Sequence, residues 1–249
     1  MSEPRIVRED ANGLCTLTLN RPDKLNALDT AAFEALDAHC AALEAAADSI
    51  GCVVLRGGGR GFCAGANLGA MGVRADGSAV DPRFKPGVVD RLGRLPQPVI
   101  AAVHGICYTG GLELALACDF ILADASAKFA DTHGKFGLVG AWGMGPRLSR
   151  RVGTAAAKRM MMTARTLRAD EARDIGLVDL LAEPDGLDAA IASLSAEILA
   201  NSWHTNFAAK RALRDTDGMS LADALAHERA TYPGPAPDSQ ARIDRFSKK

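Results

Sequence analysis

Between Pro98 and His133 the chain reads PVIAAVHGICYTGGLELALACDFILADASAKFADTH. Few folds accommodate that order. An apolar run of strand length leads to a glycine turn, an apolar helix start carrying Glu113, a second apolar run, and then His133. Apolar runs of this length, bounded by turn residues, read as strands covered on both faces, which favours a parallel sheet flanked by helices.

The rest of the chain extends the pattern. Leu14–Leu19 alternates apolar residues with Thr and predicts a strand ending at the turn Asn20-Arg21-Pro22-Asp23. Thr30 is expected to cap a helix whose apolar positions Phe33, Leu36, Cys40, Leu43 and Ala47 recur at helical spacing. Cys52–Leu55, Pro98–Val103 and Phe120–Ala123 read as buried strands, and Gly110–Cys118 as a helix. Residues 69–95 are irregular until a short helical pattern at Val88–Leu95, so a mobile loop over a pocket is expected there. After Val152 the pattern predicts helices only: Ala155–Thr163, Ala169–Asp174, Leu187–Ala200, Asn206–Arg214, Leu221–Ala230 and Gln240–Phe246. The fold class is α/β. The helical tail is too thin for a core of its own, so it packs on the main body or on another subunit.

With 249 residues, 48% of them hydrophobic, the chain can bury a substantial core. A formal net charge of -1 with scattered Lys and Arg gives no footprint for nucleic acid. No apolar run reaches membrane-spanning length, and MSEPRIVRED lacks the apolar core of a signal peptide. The six cysteines form no CxxC pair and sit in apolar segments, as expected of buried thiols in the cytoplasm. No spaced His, Cys and carboxylate cluster suggests a metal.

Three features carry chemistry. Gly110-Gly111 lets backbone approach a ligand, and the helix that starts there leaves N–H groups unpaired, which suits an oxyanion or a phosphate. The turn lacks the Lys of a P-loop and the GxGxxG of a dinucleotide site. Phe62-Cys63-Ala64-Gly65-Ala66 is a second small-residue turn, and the Ala64 N–H is expected to join Gly110 in holding one oxygen. Glu113 has Leu, Ala and Cys as helical neighbours, so desolvation is expected to raise its pKa toward the range useful for acid–base work.

The blocks NRPDKLNALD (20–29), VVLRGGGRGFCAGANL (53–68), PVIAAVHGICYTGGLELALACDFILAD (98–124) and TARTLRADEARDIGLVD (163–179) together resemble the enoyl-CoA hydratase/isomerase (crotonase) superfamily. The resemblance spans nearly the whole chain. It implies a spiral of ββα turns over residues 1–190 holding an acyl-CoA site. Residues 191–249 would form a C-terminal helical region that builds a homotrimer or a dimer of trimers. It makes Ala64 and Gly110 the oxyanion-hole amides and Glu113 the first catalytic glutamate. Lys24, Leu25 and Ala27 would lie along CoA, and Ala66, Asn67, Leu68 and Gly111 along the substrate.

His133, twenty residues after Glu113, stands where the hydratases carry a second glutamate. With an ordinary pKa of about 6.5 it is a candidate catalytic partner of Glu113. The activity implied is hydration of the 2,3 double bond of an enoyl-CoA thioester, with no cofactor and no metal. Isomerisation, decarboxylation or hydrolysis of an acyl-CoA, or acyl-CoA binding without catalysis, are the alternatives.

Overall fold

The computed structural model describes residues 3–70, 72–74, 76–183 and 185–247. In chain order the first half holds β1 (Ile6–Ala11), β2 (Leu14–Leu19), α1 (Thr30–Ala45), β3 (Cys52–Gly57), α2 (Phe84–Arg94), β4 (Val99–Val103), β5 (Ile106–Tyr108) and α3 (Gly110–Ala117). There follow β6 (Phe120–Ala123), β7 (Lys128–Ala130), α4 (Met144–Thr163), β8 (Leu167–Arg168), α5 (Ala169–Asp174) and β9 (Leu180–Leu181). The chain closes with α6 (Leu187–Ala200), α7 (Trp203–Asp215), α8 (Leu221–Thr231) and α9 (Ser239–Ser247).

The strands form a six-stranded sheet in the order β1-β2-β3-β4-β6-β9 and a three-stranded sheet in the order β5-β7-β8. The chain passes from the large sheet to the small one twice, β4 to β5 and β6 to β7, and α3 runs between these two passages. This is the α/β spiral of ββα turns. Pairing is parallel in the large sheet except for the β1–β2 hairpin.

The apolar strands are covered on both faces, as their composition requires. Val53, Leu55, Val99, Ala101 and Val103 join the core formed with α1, α2 and α3. Cys52, Val54, Ile100 and Ala102 alternate with them and meet Leu187, Ile191 and Ile198 of α6 on the opposite face. A boundary at residue 190 therefore cuts through a helix that belongs to the sheet. Docking continues past α6, where Trp203 lies against Gly13 and Gly51 and Lys210 pairs with Asp119 at 2.7 Å.

Other sequence expectations need correction. Strands do not stop at Val152, since β8 and β9 follow it. The capping side chain of α1 is Asp29, which accepts the Ala32 N–H at 2.9 Å, while Thr30 donates its hydroxyl to the Val73 carbonyl. The stretch 69–95 contains an 11-residue helix, because α2 begins at Phe84 and buries Val88, Val89 and Leu92. Residues 71 and 75 of that stretch lie outside the described residues. Among the described residues no helix is long and apolar enough to cross a membrane, and the six cysteines are buried and free.

If α6 is part of the core, Ile191→Ala should lower unfolding free energy by about 2–4 kcal/mol, as for other buried isoleucines. Urea denaturation checks this, and a change below about 0.5 kcal/mol is what a peripheral helix would give.

Candidate functional site

Two turns meet at the C-terminal ends of β3 and β5. The Cys63 N–H donates to the Ile106 carbonyl at 2.9 Å, and Tyr108 N–H returns a bond to Cys63, also at 2.9 Å. The turn after Phe62 is thereby fastened to β5. Gly65 has φ +105°, and a side chain there would strike the Tyr108 carbonyl at 3.1 Å and the Gly110 nitrogen at 3.2 Å. That closeness brings the backbone on either side of Gly65 and Gly110 to one place.

Which amides remain free is decided by a third segment. The Ala64 N–H donates to the Leu25 carbonyl at 2.9 Å, so it is not available to a ligand. The expectation for Ala64 is corrected on that ground. Leu28 N–H bonds Gly65 and Asn67 N–H bonds Leu28, both at 2.8 Å, which leaves the intervening Ala66 N–H without an acceptor among the described residues. Gly110, the first residue of α3, likewise has no acceptor for its N–H among the described residues, in keeping with its place at a helix start. The pair of open amides is Ala66 and Gly110, and both residues line one cavity of about 230 Å³.

Asn26 anchors this arrangement and was missed in the sequence. It is buried with φ +55°, and its amide nitrogen reaches the carbonyls of Gly58, Gly61 and Phe62 at 2.8–3.1 Å. Thr109 has φ +51° and ψ -110°, a conformation β-branched residues avoid. Hydrogen bonds hold it there: its N–H meets the Ala130 carbonyl at 2.9 Å, and its hydroxyl meets that of Thr132 at 2.7 Å. The strained turn ends directly at the Gly110 amide.

Glu113 and His133 line the same cavity. Every residue of α3 is buried, and Glu113 is 1% exposed. Its Oε1 accepts the N–H groups of Trp142 at 2.8 Å and Met144 at 3.1 Å. That leaves Oε2 facing His133 Nε2 at 3.9 Å. His133 Nδ1 lies 2.6 Å from Asp131 Oδ1, and the same oxygen accepts the His133 backbone N–H at 3.1 Å. Burial pushes the Glu113 carboxyl above its ordinary value, opposed by the Trp142 N–H, the His133 charge and the Met144 N–H. Burial pulls His133 down, but the hydrogen bond and charge of Asp131 and the charge of Glu113 outweigh it, so the imidazole titrates above its ordinary value.

The remaining wall is apolar. Trp142 lies against Gly110, where no side chain would fit, and packs edge-on to Phe33 with ring centroids 4.8 Å apart. Leu68, Phe136, Leu138 and Val139 line the mouth. No described residue of 69–95 lines this cavity. Gly111 does not line it either: a side chain on it would meet the Cys63 carbonyl at 2.5 Å, so its role is to let α3 pack under the turn. Asn67 is also outside the lining, and its side-chain oxygen accepts the Gly69 N–H at 3.3 Å. Lys24, Leu25 and Ala27 lie outside the cavity, on the segment whose carbonyls flank the open Ala66 amide.

Two open amides stand beside a buried carboxyl and an imidazole on a spiral of ββα turns, the fold of the crotonase class. The chain belongs to the enoyl-CoA hydratase/isomerase family, whose model matches residues 9–242. It is 30% identical to the short-chain-enoyl-CoA hydratase of Clostridium acetobutylicum, over 91% of this chain and 87% of that one. Among solved structures, an enoyl-CoA hydratase from Mycobacterium marinum superposes with a TM-score of 0.89 at 32% identity, covering 99% of this chain and 96% of the other. One from Bacillus anthracis gives 0.89 at 29% identity, with coverages of 98% and 96%.

The raised imidazole has a thermodynamic consequence. Its stabilisation is fully present below the unfolded value of 6.5 and is lost as pH rises through the higher folded value. Unfolding free energy measured by denaturant titration should fall across that window. His133→Gln should remove this component; an unchanged slope would contradict the geometry.

Proposed function

We propose that this protein is an enoyl-CoA hydratase, a hydro-lyase that adds water reversibly across the 2,3 double bond of an enoyl-CoA thioester. The observation that carries the reading is the 3.9 Å separation of Glu113 Oε2 and His133 Nε2 in the cavity that the Ala66 and Gly110 amides open into. That gap is too wide for a direct hydrogen bond, and one water can bond to both atoms across it.

The thioester oxygen accepts both open amides. As negative charge moves onto it, the amides are worth more than in water, and losing one donor of this kind typically costs about 3–4 kcal/mol. Glu113 takes a proton from water and the hydroxide adds to C3. The C2–C3 electron pair passes through the enolate, and C2 takes the proton of His133 Nε2–H. Two N–H donors on Oε1 suit Glu113 to the carboxylate form, which fits the base. The charge of the enolate is met by amides, so the reaction as written calls for no resident metal or redox group.

Lys24, Leu25 and Ala27 are assigned to the CoA side. Their segment runs along residues 64–67 through the Ala64–Leu25, Leu28–Gly65 and Asn67–Leu28 bonds. Leu68 and Trp142 are assigned to the acyl side, where Trp142 bounds the space next to the thioester. The C-terminal helices leave Leu213, Leu221, Tyr232, Ile243 and Phe246 exposed, which supports a homotrimer or a dimer of trimers built through them. Six buried free cysteines are in keeping with the cytoplasm.

A panel of enoyl-CoA and other acyl-CoA thioesters, with products identified, tests the reading. Hydration should dominate, and Glu113→Gln should lower kcat on crotonyl-CoA by about 10²–10⁴-fold while thioester binding persists. Undiminished turnover in that variant would refute the assignment, as would double-bond migration as the main product.

A further inference from the structure

We propose that Asp131 is the positioning residue of this site: it holds the Nδ1–H of His133 so that Nε2–H is the atom presented to Glu113 and to C2 of the substrate. The inference rests on the hydratase reading and adds to it a third group.

Asp131 lies at the end of β7, buried, and a single oxygen serves two bonds. The bond to the His133 backbone N–H, at 3.1 Å, shapes the turn and is the ordinary duty of an aspartate there. The bond to Nδ1, at 2.6 Å, is not needed for the turn. It fixes the ring orientation and the tautomer, as a carboxylate does for any imidazole that must offer its other nitrogen. Among the described residues, the charged groups facing His133 are Asp131 and, from α3, Glu113. The 138–143 segment and the start of α4 bring Gly140 and Met144 to this place, with no charge. Arg147 of α4 is engaged by the Trp142 carbonyl at 2.8 Å and by Asp90 at 2.7 Å.

The proton balance closes on these groups. Hydration leaves Glu113 protonated and His133 neutral, with the remaining imidazole proton on Nδ1. The excess proton returns from Oε2 to Nε2 through the next water to enter the same 3.9 Å gap, and the resting charges are restored. The product has gained H at C2 and OH at C3, and nothing else is consumed. A neutral imidazole with its proton on Nε2 would have no lone pair facing Glu113 to receive that proton.

The test uses Asp131→Asn, which keeps an oxygen for the backbone N–H and removes the charge. In the native protein, ¹⁵N chemical shifts of the His133 ring above its titration should show the proton on Nδ1. In Asp131→Asn the His133 titration should move down by about one unit. The alkaline limb of kcat against pH should follow it, because the acid must be protonated and loses its proton as pH rises. Turnover at neutral pH should fall at least about tenfold with KM within threefold, and the substitution should have no further effect on the limb in a His133→Gln background. A neutral native ring protonated on Nε2, or a His133 titration unmoved by the substitution, overturns the proposal. The ring measurements need no turnover, so a native enzyme that fails to hydrate any enoyl-CoA would refute the hydratase reading while Asp131 is still decided by them.

Discussion

The site depends on one carboxyl being held, nearly out of reach of water, by two backbone amides. Glu113 sits in a helix whose every residue is buried, and an unpaired carboxylate there would be costly. The Trp142 and Met144 N–H groups bond Oε1, which makes the burial tolerable and fixes the side chain's rotation. They also tie the 138–143 segment to α3, so the wall that carries Trp142 is placed by the same two bonds. Gly140 has to be glycine for this approach: a side chain on it would meet Met144 Cβ at 2.8 Å and His133 Cε1 at 3.0 Å.

The scaffold around that carboxyl supplies position by steric necessity. Gly65, Gly110 and Gly111 each lie where another backbone segment or a ring occupies the space of a side chain. Asn26 gathers three carbonyls under the turn that bears Ala66, and Thr109 stores strain immediately before Gly110. The Ala66 and Gly110 amides are thus set in place by the fold itself, which is the condition under which donors to an oxyanion contribute most to rate.

Much of this was legible in the sequence where chemistry is local. Gly110 and Glu113 follow a buried strand within one short stretch, so their nearness to one cavity could be read directly, whereas the part of His133 stayed open. The choice between Ala64 and Ala66 was not legible: it turns on whether the Leu25 carbonyl, far away along the chain, has already claimed an amide. Asp131 was visible two residues before His133, yet its part depended on β7 ending at Ala130, so that the chain curls and both side chains converge. Strands β5, β7, β8 and β9 are two or three residues long and carry no periodicity to detect. The packing of α6 on the large sheet was not legible because its apolar residues are shared with a sheet face whose covering helix cannot be identified from strand composition.

The central claim is that the hydroxyl and the hydrogen reach the double bond from the same side, the first through Glu113 and the second from His133. The most direct measurement is conversion of crotonyl-CoA in D₂O, with the stereochemistry of the 3-hydroxybutyryl-CoA product read by NMR. The account predicts one deuterium at C2, added syn to the new C3 hydroxyl. Deuterium added anti to that hydroxyl, or incorporated at C4 with a migrated double bond, would contradict it.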